Sequence, residues 1–140
     1  MRPSIGSKEV SYVSKETTTT PFFAMQTIGE REEQEDSYGV CYDFLVPDAA
    51  VPVCFVLADG MGGHTGGSIA SQTAIDSVKL VVESCETLDD RTLFDCLAAA
   101  NLNIAECLKV DPTLEGMGTT LVVLTIVDGH ERKIQGMKVG

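Results

Sequence analysis

Apolar and polar positions divide this chain into alternating blocks, and the blocks change period along its length. Residues 1–20 are polar and close on a four-threonine run, a composition that suits an extended edge or a loose arm. From Pro21 the chain turns apolar, and FFAMQTI predicts a first strand leading into the charged run EREEQED, Glu30 to Asp36. SYGVCYDFLV predicts a second strand. VPVCFVLA, Val51 to Ala58, predicts a third, and its continuous apolar character marks it as buried, with Asp59 standing where the strand stops. Beyond a glycine-rich stretch, Ala70, Ala74, Val78, Val81 and Cys85 recur at helical spacing, which predicts an amphipathic helix of roughly five turns.

A second helix follows, with Asp89 or Asp90 as N-cap, the stripe Leu93, Leu97, Ala100, Ile104 and Leu108, and Pro112 just past its end. The remainder, GMGTTLVVLTIVDGHERKIQGMKVG, predicts two strands joined at Asp128-Gly129, a dipeptide that tolerates the positive φ of a tight hairpin. Strands, two helices and strands in that order predict an α+β fold in which a helical layer covers sheet. KIQGMKVG is a strand pattern with no turn or polar tail after it, so the chain reads as truncated inside a sheet. The expected organisation is a polar arm over 1–20 and part of one domain over 21–140.

Composition narrows the function classes. A net charge of −11, with only ten scattered Lys and Arg, argues against a nucleic-acid surface and is compatible with a cation binder. No apolar run approaches a membrane span and the N-terminus lacks a signal-peptide core, so the default expectation is a soluble cytoplasmic protein without a membrane partner. The five cysteines, Cys41, Cys54, Cys85, Cys96 and Cys107, form no CxxC pair and read as small buried hydrophobes.

The candidate chemistry lies in FVLADGMGGHTGGSIAS, Phe55 to Ser71. Gly62-x-x-x-x-Gly67-Ser68 approaches a phosphate-binding P-loop but lacks its lysine, and Thr65 occupies a position where the dinucleotide fingerprint needs glycine. A second reading starts from Asp59. A carboxylate ending a buried strand calls for a partner, and small residues after it let carbonyls such as that of Gly60 approach the same divalent cation. Hard oxygen ligands select Mg2+ or Mn2+ over zinc, and Glu35 and Asp36 add carboxylates if the charged run folds against the loop. Two ions sharing Asp59 would activate a water toward phosphorus. Arg31 offers a guanidinium fork for phosphate oxygens, about 13 Å from Glu35 along an extended strand.

Simpler explanations stand beside these. EREEQED can be a solvated charged segment, Asp59-Gly60 a plain turn and His64 an exposed histidine. Met61 and Met117 read as packing residues, and Gly116 and Gly118 as a bend before the strand that starts at Thr119.

Taken together, IGEREEQEDSYG, FVLADGMGGHTGGSIAS and GMGTTL resemble, in order and spacing, the type 2C metal-dependent protein phosphatases, the PPM family, in their bacterial form, the first two matching the family's R-x-x-x-E-D and D-G-M-G-G-H…G…A-S segments. The resemblance covers roughly residues 22 to 140. It implies part of a four-layer α-β-β-α sandwich, two antiparallel sheets flanked by helices, truncated at its C-terminal side. It also implies hydrolysis of phosphoserine or phosphothreonine by a water bridging two Mn2+ or Mg2+ ions.

By position, the resemblance makes Asp59 the bridging ligand and Gly60 a carbonyl ligand, with Glu35 and Asp36 holding metal directly or through water. Arg31 and Asp36 become the catalytic residues, with Arg31 on the phosphate, while Thr119 and Thr120 take no catalytic role. Implied partners are a phosphorylated protein substrate and a cognate Ser/Thr kinase. Met61 stands where many eukaryotic members carry histidine, so no general acid is placed there, and His64 inherits no role. Members of the family continue past a segment like KVG with D-S-R and further metal-binding aspartates, so half of the metal site is expected to be missing and the 140-residue chain to be inactive by itself. The alternative expectation is a non-catalytic pseudophosphatase fragment or phosphoprotein-binding module.

Overall fold

A computed structural model of the 140-residue chain describes residues 26–30, 32–42, 52–62, 65–127 and 130–139. Four strands, β1 (Asp36–Tyr42), β2 (Pro52–Met61), β3 (Gly118–Val127) and β4 (His130–Val139), form one sheet in the order β1-β2-β3-β4, every neighbouring pair antiparallel. Two helices, α1 (Thr65–Ser84) and α2 (Asp90–Val110), separate β2 from β3, and a 3-10 turn at Pro112–Leu114 follows α2. The result is a helical layer packed on one antiparallel sheet.

Period-two burial identifies the face that the helices cover. Cys54, Val56 and Ala58 of β2, Cys41 of β1, and Leu121 and Val123 of β3 point into the core, as do Thr119 and Thr125. Register keeps these sets together: Cys41 faces Cys54, Val56 faces Val123, and Gly60 faces Thr119. The opposite face carries Asp36, Tyr38, Asp59 and Leu57, and Leu57 is 58% exposed.

Helix α1 contributes Ala70, Ala74, Ile75, Val78 and Val82 to the core, and lies on β1, β2 and β3. Full burial of Ile75 and Val78 is worth about 1.5–3 kcal/mol each. The helix approaches β1 closely, since a Cβ on Gly39 would sit 2.7 Å from Ile75 Cγ2. Polar links fix its rotation. Ser71 Oγ lies 2.9 Å from Ser37 Oγ on β1, and Asn103 of α2 donates to Ser77 Oγ at 2.9 Å. Helix α2 begins as its pattern predicts, with Asp89 as N-cap accepting from Thr92 N at 3.0 Å. Leu93, Cys96, Ala100 and Ile104 are buried, while Leu97 and Leu108 pack at the margin of the core.

Several expectations need correction. Gln26–Ile28, the described part of the proposed first strand, is irregular; Phe22 to Met25 lie outside the described residues, as do the 1–20 arm, residues 43–50 and the Asp128-Gly129 turn. The third strand does not stop at Asp59. It runs on to Met61 because Gly60 and Met61 still find ladder partners in Thr119 and Gly118. Helix α1 starts at Thr65, so Gly66 and Gly67 are its first turn. Met117 is buried against the glycines as a packing residue, whereas Met61 is 42% exposed and falls on the sheet face turned away from α1 and α2. Gly116, with φ +89, does make the bend before β3, which starts at Gly118 and not at Thr119.

Candidate metal site

Three pieces of chain meet where β1 begins and β2 ends. In the β1–β2 ladder Asp36 lies directly opposite Asp59, so the two carboxylates project from the same face, the one turned away from α1 and α2. Beside them Gly60 N donates to Glu35 O at 3.2 Å, which extends the pairing one step beyond the strand. Asp59 N donates to Thr120 Oγ1 at 3.2 Å, anchoring the same residue from the β3 side. The charged run therefore folds against the loop, as the metal reading requires.

Small residues permit this closeness. A Cβ on Gly60 would lie 2.1 Å from Gly67 O and 2.5 Å from Glu35 O, so the first turn of α1, the end of β2 and the approach to β1 converge on one point. A Cβ on Gly67 would lie 2.6 Å from Glu35 Oε1, which places the Glu35 carboxylate over the start of α1. Gly62, at φ +136, adopts a backbone that other residues avoid and is pressed against Met117.

In front of the two aspartates is an open cavity of about 330 Å³, lined by the turn Thr27 to Glu30, by Gln34, and by Asp36 and Asp59. The turn is shaped by Gly29, at φ +59, whose N–H reaches Thr27 Oγ1 at 3.3 Å. Glu35 is not among the lining residues. Glu30 adds a third carboxylate to the lining, and Gln34 Nε2 is buried without a hydrogen-bond partner among the described residues. Facing like charges are unfavourable across a ladder, and a cation between them reverses the sign of that interaction. Among the described residues no cluster of three or more His, Cys, Asp or Glu side chains has metal-holding geometry. What the site presents is a facing carboxylate pair with one further acid on the wall.

Of the residues singled out in the sequence, Glu35, Asp36, Asp59 and Gly60 are brought together, whereas Arg31 and His64 lie outside the described residues. Sequence reasoning missed Glu30 and Gln34 on the cavity wall and Thr120 behind Asp59. Glu30 and Gln34 sat in a run whose charge pattern does not say which members turn inward. Thr120 was visible only as part of a strand.

No family model matches the chain. Among curated proteins it is similar to the serine/threonine protein phosphatase PstP of Mycobacterium tuberculosis, 41% identical in an alignment 76 positions long that covers 49% of this chain and 13% of PstP. It is also similar to the protein phosphatase PhpP of Streptococcus pneumoniae, 43% identical over 79 residues, 54% of this chain and 32% of PhpP. The crystal structure of the M. tuberculosis phosphatase superposes with a TM-score of 0.55 and 31% identity, covering 71% of this chain and 46% of that one. A structure of the PstP catalytic domain in complex with two manganese ions gives a TM-score of 0.51 and 29% identity, covering 71% and 54%. The chain thus spans about half of the solved phosphatase structures and a third or less of these curated relatives. In sequence and in fold it is a relative of the bacterial serine/threonine protein phosphatases of the PPM family.

Proposed function

We propose that this chain is part of a metal-dependent serine/threonine protein phosphatase and that its Asp36–Asp59 face holds Mn2+ or Mg2+. The observation that carries the proposal is the β1–β2 register, which sets two carboxylates side by side at an open cavity, with Glu35 and Gly60 joined next to them. The donor set is all hard oxygen, which fits these ions. The glycine contact at Gly60 is the kind of cradle that a side chain would fill.

In this reading Asp59 would be the central metal ligand, Asp36 and Glu35 would hold metal directly or through water, and Gly60 would contribute its carbonyl. The bound ions would supply a water of lowered pKa and charge to neutralise phosphoryl oxygens. Thr120 holds the Asp59 backbone so that its carboxylate stays opposite Asp36. Glu30 and Gln34 shape the wall toward the phosphate, and the unmatched Gln34 amide is a donor for a phosphoryl oxygen. Arg31 is assigned to the phosphate by its place in the motif.

Substrates are phosphoserine or phosphothreonine proteins, with a cognate Ser/Thr kinase as the reciprocal partner. The sheet face bearing Leu57 and Tyr38, turned away from α1 and α2, is suited to a second sheet, which with helices of its own would complete a four-layer sandwich. No helix among the described residues is long and apolar enough to cross a membrane. The non-catalytic alternative is not favoured, since the relatives are named as phosphatases.

Because the described ligands fall short of a closed cluster, the chain by itself is expected to bind Mn2+ weakly and to have little phosphatase activity. Electron paramagnetic resonance of free Mn2+ titrated with the protein tests the metal site. Asp59→Asn is expected to weaken binding by at least ~10-fold. Equal binding by wild type and a folded Asp59→Asn would remove the basis for the proposal.

A further inference from the structure

The end of the β1–β2 pair remote from the carboxylates carries a second pair of chemically active side chains. Cys41 and Cys54 are direct cross-strand partners, both on the helix-facing side of the sheet, 3% and 0% exposed. Both are free thiols. Antiparallel partners have Cα atoms about 4.5 or 5.5 Å apart depending on the ladder position, and both values lie within the ~4.4–6.8 Å that a disulfide spans. The two thiols also perturb each other: the interaction with Cys54 lowers the Cys41 pKa and raises that of Cys54, and around Cys41 burial and Glu83 oppose the thiolate while the Lys79 ammonium favours it. Neither cysteine has a part in the metal site.

We propose that Cys41 and Cys54 are a redox modification site, which a peroxide converts to a disulfide stapling β1 to β2. The Cys41 sulfur attacks one peroxide oxygen, the O–O bond breaks, and one water leaves once the protons are redistributed, giving a sulfenic acid on Cys41. The Cys54 sulfur then attacks the Cys41 sulfur. The S–S bond forms, the S–O bond breaks, and a second water carries away the hydroxyl and the Cys54 proton. Two electrons pass from the two thiols to the two peroxide oxygens.

Access comes from the position of β1, which lies at the edge of the sheet among the described residues and whose register slips immediately after Cys41, so that the ladder is weakest beside the thiol that reacts first. The pairing is selective by geometry. Cys96 also lies close enough to the pair to affect its ionisation, but it belongs to α2, and only Cys54 occupies the matching ladder position across from Cys41.

The experiment oxidises the full 140-residue chain with hydrogen peroxide under native conditions and reads intact mass and a disulfide map. No Lys or Arg lies between Arg31 and Lys79, so trypsin leaves both cysteines in one peptide, whereas chymotrypsin can cut between them after Tyr42 or Phe44. The expected result is loss of two hydrogens, a Cys41–Cys54 cross-link in the map, and a rise in melting temperature that dithiothreitol reverses. The same treatment in denaturant is expected to scatter the pairing over all five cysteines. A predominant link through Cys96 or Cys85, over-oxidised unpaired thiols, or thiols unchanged while free cysteine in the same tube is consumed would each overturn the proposal. So would the same pairing pattern in native and denatured protein. The outcome is independent of metal binding and of phosphatase activity.

Discussion

Replacing Gly60 by alanine tests the convergence on which the candidate site is built. The added Cβ would stand 2.1 Å from Gly67 O, 2.5 Å from Glu35 O and 2.6 Å from Gly67 C, all backbone atoms. Ordinary contact begins near 3.4 Å, so Gly67 or β2 must retreat by more than an ångström. No side-chain rotation can absorb that displacement. Overpacking costs about 1–3 kcal/mol, and relief that must come from backbone places this case at the upper end, about 3 kcal/mol. Alanine lowers unfolded-chain entropy, which returns up to about 1 kcal/mol, leaving a net loss of about 2–3 kcal/mol.

In urea unfolding this appears as a lower midpoint at constant slope, and in a thermal scan as a drop of roughly 10 °C. Gly67→Ala is the control. Its nearest obstacle is the movable end of the Glu35 side chain at 2.6 Å, followed by Gly60 C at 3.1 Å, and alanine in a helix gains about 1 kcal/mol over glycine. The expected stability change for Gly67→Ala is within about 1 kcal/mol, with a weakened Mn2+ affinity because the Glu35 carboxylate is displaced. If Gly60→Ala changes stability by less than about 0.5 kcal/mol, the three segments do not converge as described and the reasoning fails.

Other perturbations probe separate links. Asp89→Ala removes the side-chain acceptor of Thr92 N and should cost about 1 kcal/mol in urea unfolding, with Asp89→Ser recovering most of it. Thr120→Val removes the acceptor for Asp59 N and is expected to cost about 0.5–1.5 kcal/mol while weakening Mn2+ binding, a combination that a merely structural threonine would not show. Burial pushes the Cys96 thiol from its ordinary 9.0 up to about 12. The raised folded value means that its contribution to stability is fully present below about pH 9 and is lost as pH rises through about 12. Stability measured at about pH 8 and about pH 10.5 should therefore fall more in wild type than in Cys96→Ala.

Whatever depends on neighbours along the chain was legible in the sequence. The stripe Leu93, Leu97, Ala100, Ile104 marks α2, Asp89 caps it, and Pro112 follows its end, because helix periodicity and capping involve residues only a few positions apart. Likewise the apolar run before Asp59 announced a strand, and the three ordered motifs announced the relationship to phosphatases. Tertiary structure decided what depends on register and volume. The ladder with β3 carries β2 past Asp59 to Met61, because Thr119 and Gly118 offer partners that no local pattern reveals. It is the pairing of β1 with β2 that sets Asp36 beside Asp59 and Cys41 beside Cys54, and a one-residue slip would turn both sets to opposite faces. Crowding among Gly60, Gly67 and Glu35 is equally invisible in one dimension, since each glycine is required by a backbone that arrives from elsewhere in the fold.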